Sequence, residues 1–119
     1  MRWYVRANVL AIVLGLAFAT FVWAAEDDGS QVKILSPQAG AVVQGDTLEL
    51  QYDLVKGTKA AHVHVYLDGQ YQKGFAGTFK GLTPGKHEIR VAAATQDHKV
   101  LAAESSVTVE VQAQGDTGY

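Results

Sequence analysis

The sequence predicts an all-β chain: an antiparallel β-sandwich of about seven short strands behind an N-terminal hydrophobic signal helix. Three observations carry that prediction. Several stretches alternate apolar and polar side chains residue by residue, the period of a half-buried strand. Turn residues recur at the roughly 8–12-residue spacing of short strands in a sandwich. Beyond the hydrophobic start, no stretch repeats its apolar residues with the period of an amphipathic helix, and there is no internal repeat.

The N-terminal segment stands apart from the fold. Arg2 and Arg6 give it a basic start, Val9 to Trp23 carries no charge, and Ala24 and Ala25 precede the acidic Glu26-Asp27-Asp28. That order is the layout of a secretory signal peptide. Val22 and Ala24 suit the −3 and −1 positions, so cleavage is expected before Ala25 or one residue later, with 1–24 as the signal peptide. The alternative is a retained anchor. Val9 to Ala25 is 17 residues, at the short limit of the roughly 17–25 that span a bilayer.

The mature chain is then residues 25–119, a single domain of 95 residues. Without Arg2 and Arg6 it keeps eight Lys and Arg against twelve Asp and Glu, a net charge of −4. No basic patch survives, which argues against nucleic acid as a partner. The absence of cysteine excludes thiolate metal sites, a blue-copper centre and cysteine catalysis. Met1 is the only methionine, so the mature chain has no thioether ligand. Any metal must be held by imidazole, carboxylate or backbone.

The strands follow in order. Val32 to Leu35 reads as the first, stopped at Ser36-Pro37 because proline cannot donate to a ladder. Gly40 and Gly45-Asp46 mark turns around Ala41-Val42-Val43. Thr47 to Leu54 alternates, with Leu48, Leu50, Tyr52 and Leu54 facing inward. Lys56 to Lys59 is a loop leading into Ala60 to Leu67, where Val63, Val65 and Leu67 face the core. Asp68-Gly69 then suits a two-residue type I′ turn, which needs positive φ at both central positions. Gly74, Gly77 and Gly81 punctuate the next strands, with Phe75, Phe79 and Leu82 as apolar anchors. After the Thr83-Pro84-Gly85 turn, His87 to Ala94 alternates with Ile89, Val91 and Ala93 inward. Val107 to Val111 is the last strand. The sandwich therefore covers residues 25–112, and 113–119 is a polar, Gly-containing tail expected to fray.

The stretch Gly81-Leu82-Thr83-Pro84-Gly85-Lys86-His87-Glu88-Ile89-Arg90-Val91-Ala92-Ala93 resembles the corner and penultimate strand of bacterial immunoglobulin-like and fibronectin III-like domains. The opening Ile34-Leu35-Ser36-Pro37-Gln38-Ala39-Gly40 and the hairpin Tyr66-Leu67-Asp68-Gly69 are similar to those domains too. The resemblance spans residues 31–112 and implies an immunoglobulin-like order of strands. It departs from antibody-type domains in lacking the core disulfide and its partner tryptophan. It says little about function, because such domains serve adhesion, ligand binding and spacing alike.

His62 and His64 are the residues closest to a chemistry. In a strand, residues i and i+2 share a face, so the two imidazoles stand side by side, outward. Two rings fixed on a rigid strand form half of a metal site, for Cu(II) or Zn(II). An immunoglobulin-like strand order sets this strand beside the Ile89 strand, near the loop Gln96 to Lys99, so His98 or Asp97 could supply a third ligand. The bland reading is equally simple: exposed histidines are ordinary on a sheet face. A strict hairpin register also sets Lys73 opposite His64 and Phe75 opposite His62, and a lysine beside a metal is unfavourable. His87 shares the parity of Ile89 and is expected inward, and the resemblance implies that it closes the corner with a side-chain-to-backbone hydrogen bond.

The same register gathers Tyr66, Tyr71 and Phe75 on the outward face, a candidate surface for a protein partner or a sugar. A bulge between Gln70 and Gly74 would instead return Phe75 to the core. No catalytic spacing stands out. The sequence thus predicts an exported, bacterial, periplasmic or secreted binding or accessory module without catalysis, taking copper or zinc at His62, His64 and His98. The alternatives are a contact module using Tyr66, Tyr71 and Phe75, or, if the N-terminal helix is retained, a single-helix subunit of a membrane complex.

Overall fold

The computed structural model describes residues 24–113. The segment expected to be a signal peptide or an anchor, apart from Ala24, and the tail beyond Ala113 lie outside the described residues. Nine strands form in order: β1 (Gln31–Ser36), β2 (Val42–Gln44), β3 (Leu48–Glu49), β4 (Gln51–Val55), β5 (Ala60–Leu67), β6 (Gln70–Tyr71), β7 (Thr78–Phe79), β8 (Gly85–Thr95) and β9 (Val100–Gln112). One layer is a five-stranded sheet in the order β2-β9-β8-β5-β6, and the other is built from the pairs β1-β4 and β3-β7. Between them lies an aliphatic core. Ile34, Leu50, Phe79 and Leu82 meet Val65, Ile89, Val91, Val109 and Val111, and full burial of each such side chain stabilises by about 1.5–3 kcal/mol.

The alternation read from the sequence places most of these residues correctly. Val65, Ile89, Val91 and Ala93 are buried, and β5 lies antiparallel beside β8, with Val65 paired to Val91 and Leu67 to Ile89. Three local expectations are corrected. The sandwich is not wholly antiparallel, since β2 runs parallel to β9, with Val43 opposite Val111. The stretch Thr47 to Leu54 is not one strand. It divides at Leu50, whose N–H donates to the Gly77 carbonyl (2.9 Å), so that β3 pairs with β7 and β4 with β1. Tyr52, expected inward, is exposed. Splitting one stretch between two partners is part of why nine strands replace about seven.

The third correction concerns the hairpin. Asp68 and Gly69 both adopt positive φ (51° and 80°), as a type I′ turn requires, and Tyr66 faces Tyr71 as expected. The ladder then stops. Gln72 N–H still reaches the Val65 carbonyl (2.8 Å), but the chain turns at once, with Phe75 N–H donating to the Gln72 carbonyl (3.2 Å). Phe75 is thereby returned to the core, its ring 4.5 Å from that of Phe79. Neither Lys73 nor Phe75 stands opposite the histidines, since no ladder pair of β5 and β6 extends past Tyr71.

Residues Glu26 to Ser30 fasten the entry to β5. Asp28 is buried, its carboxylate accepting hydrogen bonds from the Ser30 hydroxyl (2.8 Å) and from the N–H groups of Ser30 (3.0 Å), Lys59 (3.0 Å) and Ala60 (2.9 Å). These donors, the Ser30 hydroxyl first, outweigh desolvation and lower its pKa to about 2. The Ser30 hydroxyl in turn accepts from Gly57 N–H (2.8 Å). Lys59 pairs with Glu26 at 2.6 Å.

Candidate metal centre

β5 is held on both sides, by β8 along its length and by β6 at its far end, which fixes the directions of its side chains. His62 and His64 point to one face. Their pairing partners on β8 are Ala94 and Ala92, each completely buried although their parity is outward. These two methyl side chains form a low floor beside the imidazoles. Larger residues there would occupy the space above the sheet that the rings now use.

The third imidazole comes from the hairpin between β8 and β9. His98 N–H donates to the Thr95 carbonyl (3.0 Å) and Thr95 N–H to the Lys99 carbonyl (2.9 Å). Lys99 N–H donates to the Thr95 hydroxyl (3.0 Å), which itself donates to the Asp97 carboxylate. His98 occupies the left-handed position of this turn at φ 66°, a conformation that glycine adopts without cost and other residues adopt rarely. That placement aims its ring back over the sheet.

The three rings converge. His62 Nε2 lies 3.3 Å from His64 Nε2 and 3.2 Å from His98 Nδ1, and His64 Nε2 lies 3.3 Å from His98 Nδ1. Asp97, the other candidate third ligand, is not part of the group. Its carboxylate is taken by the Thr95 hydroxyl, which holds its pKa below the usual range. His62 is half-buried, His64 buried and His98 exposed. Burial first, then the charges of His62 and His98, pushes the His64 pKa down, favouring the neutral ring that ligates a metal.

A neutral imidazole nitrogen is either an N–H donor or a lone-pair acceptor. Among three nitrogens in mutual contact, at least two must be alike, so one pair sets donor against donor or lone pair against lone pair. A cation at the centre removes that conflict by accepting all three lone pairs.

Aromatic side chains continue the face. The Tyr71 ring lies 4.5 Å from that of His64 and 5.8 Å from that of Tyr66, and the Arg90 guanidinium covers Tyr66 at 4.2 Å. Tyr71 is 47% exposed. With Tyr52 and Phe75 it also lines an open cleft of about 220 Å³ between the layers. Tyr66 and Tyr71 are thus brought together beside the histidines, whereas Phe75 meets Tyr71 only around this cleft.

His87 is buried in the corner, as its parity predicts. Its Nε2 lies 2.6 Å from the Thr83 carbonyl and its Nδ1 2.5 Å from the Asp68 carboxylate, which also accepts Glu88 N–H at 2.8 Å. The link to Asp68 was not visible in the sequence. Only the turn type, which sets Asp68 at the head of the hairpin, hints at it.

With this geometry in hand, the fold can be compared with known proteins. The fibronectin(III)-like modules of Clostridium thermocellum CbhA superpose with a TM-score of 0.56 at 22% identity, over 71% of this chain and 100% of that one. The fold is fibronectin III-like. A Bacteroides ovatus protein, SGBP-B of a mixed-linkage glucan utilization locus, solved with a mixed-linkage heptasaccharide, aligns at a TM-score of 0.44 and 17% identity, over 72% of this chain and 25% of that one. No protein-family model and no curated protein matches the sequence. In this fibronectin III-like module the histidines sit at the end of the five-stranded sheet that carries the β8–β9 hairpin.

Proposed function

We propose that the protein is an exported, non-catalytic binding module that holds a copper or zinc ion at His62, His64 and His98. The observation that carries this reading is the closed triangle of three imidazole nitrogens, 3.2–3.3 Å on each side, which cannot all pair with one another and whose three lone pairs a central cation would accept together. Two ligands on a strand paired to β8 and a third on a tight hairpin leave little conformational entropy to lose on binding.

Titration of untagged protein with Zn(II) and Cu(II) tests it. One equivalent is expected to bind, and His62→Ala and His98→Gly each to weaken binding at least about tenfold, since removing one of three donors costs more than 1.4 kcal/mol. Glycine is the chosen replacement at 98 because it fits φ 66°, so the variant keeps its fold. Binding that is unchanged in both variants rejects the site.

Export is the second part of the proposal. It is supported by the basic, apolar and small-residue order of residues 1–25. The intact mass of the protein recovered from a bacterial periplasm is expected to correspond to residues 25–119 or 26–119. A mass that includes residues 1–24 would instead make the module part of a membrane-anchored subunit.

A contact role for the Tyr66–Tyr71 face is a second reading, favoured by the exposure of Tyr71 beside the cleft it lines. Partner capture that survives chelation and is lost in Tyr71→Ala would distinguish it.

A further inference from the structure

Granting the metal reading, we infer that the three histidines form a tripod for a tetrahedral ion, Zn(II) or Cu(I), with the fourth position open to a ligand from outside the chain. The three nitrogen–nitrogen distances are nearly equal at 3.2, 3.3 and 3.3 Å. Metal–nitrogen bonds of about 2.0–2.1 Å in a tetrahedral site put neighbouring donors about 3.3–3.4 Å apart. Three corners of a square-planar site would instead include one trans pair about 4 Å apart, and one face of an octahedron would be tighter, with edges of about 2.9 Å. The triangle fits the tetrahedron and neither alternative.

The scaffold resists rearrangement toward the other geometries. His62 and His64 are two residues apart on one face of a strand that β8 pairs at both positions, so their rings reach an ion from the same side. His64 is buried against Tyr71. His98 alone of the three lies outside a strand, but the β8–β9 turn that carries it is closed by four hydrogen bonds around Thr95. Among the described residues, no further histidine and no carboxylate joins the group, and His98 stands at the surface. A tetrahedral ion held there keeps one coordination position for water, a small anion or a donor from another molecule, as three-ligand sites do.

Co(II) reports the geometry directly, because its visible bands are intense in a tetrahedral field and weak in an octahedral one. Untagged protein loaded with one equivalent of Co(II) is expected to show the intense bands. Azide should shift them, Zn(II) should abolish them, and they should be lost in His98→Gly. Weak bands, or bands indifferent to His98→Gly, with Co(II) nevertheless bound, overturn the tripod while leaving a metal site at His62 and His64. Intense bands that azide cannot shift overturn the open position. Failure of Zn(II), Cu(I), Cu(II) and Co(II) alike to bind the wild-type protein overturns the metal reading itself.

Discussion

Four histidines in this chain face two different fates, and the difference lies in what each ring nitrogen meets. At His87 both nitrogens meet acceptors, the Thr83 carbonyl and the Asp68 carboxylate. First the Thr83 carbonyl, then Asp68, raises its pKa against desolvation, so the doubly protonated ring is favoured in the folded protein. At Asp68 desolvation pulls upward, but the His87 and Glu88 hydrogen bonds outweigh it and hold the carboxyl below its ordinary range. The signs then follow by linkage. His87 contributes stability that is fully present below the ordinary histidine pKa and is lost as pH rises through its raised folded value. Asp68 contributes stability present above the ordinary carboxylate range and lost as pH falls through its lowered value. The pair therefore acts most strongly in mildly acidic solution. His87→Ala is expected to cost about 1–2 kcal/mol at pH 5.5, discounted because Asp68 is half exposed, and less at pH 9. Urea unfolding of both proteins at the two pH values measures it, and a cost independent of pH would remove the ionic part of the argument. His64 has the opposite sign. Its lowered pKa means that protonation opposes both folding and metal binding as pH falls.

At the scale of elements, alternation was legible wherever a strand keeps one partner along its length. β5 and β9 each keep β8 beside them along most of their length, and the inward positions of Val65, Ile89, Val91, Val109 and Val111 follow from parity alone. The same parity placed His62 and His64 on one face, and the Asp68-Gly69 dipeptide set Tyr66 across from Tyr71. Alternation says nothing about a change of partner, which is why the division at Leu50 and the parallel pairing of β2 with β9 were invisible. Nor does it say where a hairpin ladder ends. The Gly74 turn at φ 72° takes Phe75 off the face and removes Lys73 from opposition to His64, the one charge that argued against a metal there. His98 was foreseeable only as a loop residue near the right end of the sheet. Its left-handed backbone, which turns the ring toward His62, is a property of the closed hairpin rather than of any sequence period.

At the scale of the whole molecule, the segment from Glu26 to Ser30 ties together parts of the chain distant in sequence. Its Asp28 carboxylate collects the first N–H groups of the β5 entry, and the Glu26 carbonyl accepts Ala102 N–H of β9 at 2.8 Å. One short segment therefore touches both the histidine strand and the strand leaving the His98 hairpin. The acidic run that follows the hydrophobic start is thus structural at both its first and its last member, a role composition alone could not reveal. The lock on this arrangement is Gly57. A Cβ there would lie 2.1 Å from the Asp28 carbonyl oxygen and 2.6 Å from the Ser30 nitrogen, both backbone atoms that cannot swing aside, so one of the two segments must move. Gly57→Ala is expected to destabilise the fold by about 1–3 kcal/mol, the usual range for overpacking. It should also free residues 24–30 for proteolysis before the sandwich unfolds, because the opposed strands keep their own core. Since Ala60 opens the strand that carries His62, metal affinity should fall in the same variant, by less than in His98→Gly. Denaturant unfolding, limited proteolysis with mass analysis and a Zn(II) titration measure the three effects. A Gly57→Ala protein as stable and as protease-resistant as the wild type would show that the segment lies on the sandwich without holding it.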